Sequence, residues 1–280
     1  MKIKKIITTS LLLVSSHSAF SALLFDQDVT SNAIFGSGNA NGGFTVDRNN
    51  GIELGLRGKL RFDANNLPQN QFNSNGDGTY SFDAGLPPTG FSWAPGSTSS
   101  AVWNFEWSVN SDFSGQDLNV LSTYRYVLGM DFDPGLGENL FTFDPINVTC
   151  SDNAIGDNST ASGDGTSVLI GACRSTDQAV ADAASADYKS LIDNNNLAQN
   201  SWNMEFFDDA LNGFAFDART DGQYDFYLAA FDDNGTQLAR TEISIIVGDG
   251  ATEVSEPVTL ALFGLGLGCI AVRRRKQVNR

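Results

Sequence analysis

The chain has 280 residues and a formal charge of −16, with 17 Lys and Arg set against 33 Asp and Glu. A surface this acidic repels phosphate backbones and anionic lipid, which excludes DNA and RNA as partners. The single histidine, His17, lies near the amino terminus, so the remaining chain has no imidazole for Ser-His-Asp or Cys-His catalysis or for histidine-ligated zinc.

The first residues carry a targeting pattern. Lys2, Lys4 and Lys5 precede an apolar stretch over 6–14, and Ala19-Phe20-Ser21 then supplies small residues at −3 and −1. This predicts a secretory signal peptide over 1–21, cleaved after Ser21. A transmembrane anchor is the alternative, but the apolar stretch is shorter than the roughly 20 residues a spanning helix needs. No cysteine follows it to accept a lipid.

Beyond residue 21 the chain reads as strands, with 31–43 the least structured part of the amino-terminal region. Over 52–62 the even positions are Ile52, Leu54, Leu56, Gly58, Leu60 and Phe62. Glu53, Gly55, Arg57, Lys59 and Arg61 fall between them. Alternation of this length predicts a half-buried strand with its polar face in water. The same period returns in Trp103, Phe105, Trp107 and Val109, and in Tyr124, Tyr126, Leu128, Met130 and Phe132. Two more runs meet at Asn234-Gly235, which predicts a hairpin with a type I′ turn. Only 175–194 has helical spacing, through Val180, Ala183, Ala184, Tyr188, Leu191 and Ile192, with Ser175 and Gln178 as a capping box. The expected fold is an antiparallel β-sandwich, jelly-roll or immunoglobulin-like, with one short helix, filling a single domain over 22–254.

Cys150 and Cys173 flank a Gly/Asp/Ser-rich stretch. In an exported chain they read as one disulfide, which would contribute about 3 kcal/mol in the chain-entropy account. Two free thiols are the alternative. No cofactor is expected, though two places could gather calcium. In "NSNGDG" (73–78), Asn73, Asn75 and Asp77 alternate as in a calcium loop, but Ala84 stands where the bidentate acid belongs, so a hairpin turn explains the motif. Asp131, Asp133 and Asp144 form the other candidate.

The internal echo "WNFEW" (103–107) and "WNMEF" (202–206) places Glu106 and Glu205 in matched aromatic settings. Two carboxylates on a β-sandwich can serve a glycosidase as acid and nucleophile or base. Plain alternation explains both motifs without catalysis, by sending Trp and Phe inward and leaving Asn and Glu in solvent.

The carboxyl end holds a second membrane signal. Ser255-Glu256-Pro257 leads into fifteen uncharged, mostly apolar residues (258–272), followed by Arg273, Arg274, Arg275 and Lys276. As a helix that span covers about 22 Å, short of a bilayer core of about 30 Å. The flanking bases can snorkel to head groups and hold the tail in the cytoplasm. The three-part tail, 255–280, resembles the PEP-CTERM sorting signal of Gram-negative bacteria, with Ser255 in place of the first proline of the motif. The resemblance implies an exosortase and the inner membrane as partners during sorting. It also implies exopolysaccharide nearby, hence an envelope or biofilm-matrix protein at the cell surface or outside it. The absence of histidine beyond residue 21 and the weakness of the paired-carboxylate signal make a non-catalytic protein the expectation. A carbohydrate-binding or adhesive module and a Glu106/Glu205 glycosidase are the rival readings. With both signals removed, nine bases face all 33 acids, a formal charge of −24.

Overall fold

The computed structural model describes residues 22–34, 39–63, 65, 67, 69–88, 98–147 and 150–251. Both expected membrane signals, including Ser255, Glu256, Pro257 and the bases 273–276, lie outside them. Among the described residues no helix is long and apolar enough to cross a membrane.

Among the described residues eleven strands form two sheets. The first runs β1 (Leu24–Gln27), β2 (Phe44–Asn49), β3 (Ile52–Leu60), β5 (Trp103–Asn110), β9 (Leu197–Trp202) and β8 (Ala154–Gly156). The second runs β4 (Thr79–Phe82), β11 (Gln237–Val247), β10 (Gly222–Phe231), β6 (Arg125–Asp131) and β7 (Leu140–Phe143). Between them lies a single large apolar core. Its centre is aromatic: Trp103 meets Phe82, Phe216, Tyr224 and Phe226, and Phe105 stacks 4.7 Å from Phe226 across the sheets. The fold is an all-β, two-sheet sandwich. One ladder departs from the antiparallel expectation, since β4 pairs parallel to β11, Ser244 opposite Thr79.

The alternation locates β3, β5 and β6 correctly but misjudges their second face. All but the last residue of β3, and every residue of β5, is buried. Glu53, Arg57, Lys59, Asn104 and Glu106 are therefore covered rather than in water. The cover is residues 28–34 and 39–43, the region expected to be least structured. It is irregular in backbone, but Ser31 to Ile34 are buried, and Val29 and Ile34 build a second small core with Phe44 and Val46 of β2. Gln199 of β9 pins it by accepting from the Ala33 amide and donating to the Ser31 carbonyl, at 2.6 Å each. A backbone with no ladder of its own can be buried only where such partners exist.

Three local expectations are revised. The β10–β11 turn is not type I′, because Gly235 alone has positive φ (+80°) there. Gly235 N donates to the Asp232 carbonyl, Asp232 N donates to the Thr236 carbonyl, and the Thr236 amide donates to Asp232 Oδ1, giving a three-residue loop that closes on a left-handed glycine. Helix α2 spans Gln178–Asn194 and follows the four-residue α1 (Ile170–Cys173). Its cap is Asp177, whose carboxylate accepts from Ala179 N, while Ser175 instead accepts from Asp177 N. Ala184, Tyr188 and Ile192 make its buried stripe, and Val180 stays exposed. Finally, the 202–206 motif is not a strand throughout, for β9 ends at Trp202 and Met204–Phe206 is a 3-10 turn.

Replacing Trp103, 1% exposed among four rings, by alanine should lower unfolding stability by about 3–5 kcal/mol in urea titration. Phe206→Ala, at a side chain 47% exposed, should cost under about 1 kcal/mol. Equal losses would mean that the core is not centred on Trp103.

Candidate functional site

The densest chemistry lies on the covered outer face of the first sheet. Arg57 and Glu106 face one another across β3 and β5, and Lys59 lies two residues further along the same face. Arg57 Nε donates to Glu106 Oε2 at 2.6 Å, and Nη2 lies 2.5 Å from the same oxygen. Arg57 Nη1 donates to the carbonyls of Ala40 and Gly42 in the cover, at 3.0 and 2.5 Å. The guanidinium carbon sits 4.2 Å from the Phe44 ring and 4.0 Å from the Phe72 ring, so it is walled by two aromatic faces. Lys59 Nζ lies 3.3 Å from Glu106 Oε1 and donates to Asn39 Oδ1. Burial depresses the proton affinity of both Arg57 and Lys59, opposed in each case by the Glu106 charge. A second cluster holds the cover from its other end: Glu53 accepts from Arg48 Nε at 2.6 Å, from Thr30 N at 2.7 Å and from Thr30 Oγ1 at 2.8 Å.

Glu106 and Glu205 are therefore not a matched pair. Glu106 is fully buried, with an ion pair on each oxygen. Glu205 sits half-buried in the 3-10 turn, where Ser100 Oγ donates to Oε2. The echoed asparagines do meet. Asn203 Nδ2 donates to Asn104 Oδ1 and to the carbonyls of Ala101 and Trp103, tying the two motifs into one buried amide knot. Trp103 and Trp107 are buried as alternation requires, while Trp202 is only partly so, against Trp107 at 5.3 Å and Phe207 at 5.4 Å.

The calcium candidates are spent on backbone. Asp77 accepts from Thr79 N and Oγ1, and Asn75 donates to Thr79 and Ser81, which makes 73–78 a self-bonded turn. Asp131 caps the amides of Asp133 and Asn139 at one end of β6. Asp144 accepts from the Tyr126 amide, five residues back along that strand, or about 17 Å at the rise of a strand. Among the described residues no three His, Cys, Asp or Glu side chains are grouped to hold a metal ion.

Cys150 and Cys173 are joined, with Cα atoms 5.5 Å apart. The bridge fastens α1 to the segment that joins β7 to β8. It also lines a cleft of about 620 Å³ with Arg174, Tyr188, Lys189 and Ile192.

These features define a class: an all-β, disulfide-bearing sandwich whose internal charges are engaged in holding the fold. The more specific assignment comes from the tail. Residues 253–276 match the PEP-CTERM protein-sorting motif, so the chain carries the sorting signal of an exosortase substrate. The match covers 24 of the 280 residues and none of the sandwich. No curated protein and no solved structure matches the chain.

Lys59, Arg57 and Asn39 were not singled out by sequence. Their signal was Glu53, Arg57 and Lys59 alternating along one strand with Glu106 on another, a charge pattern that suits solvent and a buried pair equally well.

Arg57→Met should strand the Glu106 carboxylate and lower stability by about 3–5 kcal/mol, whereas Arg57→Met with Glu106→Leu should recover much of that loss. Additive losses in the double mutant would show that the two charges act separately. Cys150→Ser and Cys173→Ser should each lower stability by a similar amount, about 3 kcal/mol, since either one breaks the same bridge. Unequal losses would point to a separate role for one sulfur.

Proposed function

We propose that this protein is a non-catalytic component of the cell envelope or of an exopolysaccharide matrix, delivered by exosortase processing of its tail. One observation carries the reading: the sorting motif over 253–276. The body of the chain is consistent with it. A mature charge of −24 keeps an extracellular sandwich soluble and attracts counter-ions rather than anionic surfaces. The disulfide suits an oxidising compartment. Against a glycosidase stands the setting of Glu106. A general acid or nucleophile must reach substrate, and this carboxylate is fully buried with Arg57 and Lys59 on its two oxygens.

Within this reading the amino-terminal signal directs the chain to the inner membrane and out. The Glu256-Pro257 segment is then the element presented to the exosortase, with the apolar span and basic tail holding it in place. The mature protein ends at the cell surface or beyond it.

Replacing Glu256 and Pro257 together by alanine should leave full-length protein in the inner-membrane fraction, recognised by a retained tail in mass spectrometry. Maturation at the wild-type rate would remove the exosortase from the proposal. Incubation of the mature protein with acidic and neutral polysaccharides should release no reducing ends, and Glu106-dependent release would favour the glycosidase.

A further inference from the structure

The charged layer beneath the amino-terminal cover holds more than an ion pair. Lys59, on β3, reaches the side-chain carboxamide of Asn39, in the cover, and Glu106, on β5, stands beside the amine at 3.3 Å. Lys59 is 5% exposed and Glu106 not at all. We propose that Lys59, Asn39 and Glu106 form a self-acting cross-linking site, in which Lys59 Nζ attacks the Asn39 carboxamide and joins cover to strand by an intramolecular isopeptide bond.

The chemistry is complete within the three side chains. The lone pair of the neutral amine adds to Asn39 Cγ, and one Nζ proton passes to Glu106 Oε1. As the tetrahedral centre collapses, the bond from Cγ to the original amide nitrogen breaks. Glu106 returns its proton to that nitrogen, which departs as ammonia. Amine and carboxamide become secondary amide and ammonia, with no oxidant, reductant or further reactant. Glu106 ends as it began, a proton shuttle touching the reacting amine.

Three features favour this reaction over a plain hydrogen bond. The first is charge. Around Lys59 stand the Glu106 carboxylate and two guanidiniums, Arg57 and the half-buried Arg61, and arginine cannot give up its proton in a protein. Arg57 already balances Glu106, so a protonated Lys59 would add a further positive charge beside Arg57 and Arg61, and the surroundings favour its free amine, the nucleophilic form. Burial lowers the proton affinity of Lys59 in that direction, and the Arg57 charge reinforces it against Glu106. The second is the fixing of the partners. Asn32 Nδ2 donates to the Asn39 carbonyl at 3.0 Å, and Arg57 Nη1 holds the carbonyl of Ala40, so the carboxamide is presented from a pinned backbone. Such holding replaces an encounter between free groups and is a large share of what a catalyst supplies. The third is dryness. The Phe44 and Phe72 rings wall the adjacent guanidinium, and Lys59 and Glu106 are themselves buried, so the amine and its proton acceptor are shielded from bulk water.

The decisive measurement is the intact mass of the mature protein recovered from the exporting cell. It should be lighter than its sequence by one ammonia, beyond the two hydrogens lost to the disulfide. Trypsin should fail to cut after Lys59, and tandem fragmentation should yield a branched peptide joining Lys59 to Asn39. Lys59→Met and Asn39→Ala should each restore the full mass, and Glu106→Gln should block the loss in protein that still folds. Chain kept in denaturant from synthesis onward should also retain its full mass, because only folding assembles the site. Wild-type protein of full mass, cut normally after Lys59, would overturn the proposal. So would ammonia loss that persists in Lys59→Met, which would mark a succinimide at Asn39 instead. If Glu106→Gln aggregates, the wild-type and Asn39→Ala masses still decide the matter.

Discussion

The structure depends on the encounter of Arg57 with Glu106 on the outer face of the first sheet. A charged side chain leaves water only if a partner and further hydrogen bonds await it. Here the partner lies across the ladder, and the further bonds come from carbonyls of the cover. The cover is therefore a requirement of the sheet. Without residues 39–43 the guanidinium loses two acceptors, the carbonyls of Ala40 and Gly42. The same dependence recurs at Glu53 with Thr30 and Arg48, and at Gln199 with Ser31 and Ala33. A segment with no regular structure is thus held along its length by side chains of three different strands.

This arrangement explains how much could be read from residues alone. Strands with one apolar face announce themselves by period, so β3, β5, β6 and the β10–β11 hairpin were legible. What covers the opposite face is a long-range matter, since Glu53 looks the same whether it meets water or the Thr30 amide. The turn at Gly235 was placed but mistyped, because Asn-Gly serves both a two-residue and a three-residue loop and Asp232 decides between them. The cap of α2 moved from Ser175 to Asp177 for a similar reason, both being good acceptors two residues apart. The paired-glutamate idea failed on topology. Two like motifs lie on neighbouring strands, but β9 ends at Trp202, before its glutamate is reached.

The acidic balance of the protein also has a structural side. Of the nine bases left outside the terminal signals, Arg48, Arg57 and Lys59 hold the cover. Lys189, Arg219 and Arg240 pair with nearby acids on the surface. Arg125 lies over the Phe231 ring. Positive charge is thus largely engaged within the fold, and the field around the molecule is set by its carboxylates. Many of these are themselves tied into turns, as Asp112 is by the amides of Gln116, Asp117 and Leu118. The acidity that suits an extracellular protein also supplies the loop-closing acceptors of an all-β chain rich in Asx turns.

The parallel pairing of β4 with β11 sets a timetable. Strand β11, the last among the described residues, lies between β4 and β10 in the second sheet. A chain that emerges amino terminus first therefore holds β4 ready long before its neighbour exists, and that sheet closes only once Val247 has crossed. Five residues then separate Val247 from the start of the sorting motif at 253. Even fully extended they reach about 17 Å. The strand that completes the second sheet and the sorting motif are thus close neighbours in the chain. Under the proposed sorting route, Glu256-Pro257 follows the last described strand by only eight residues, so access to it becomes a matter of clearance beside a folded domain.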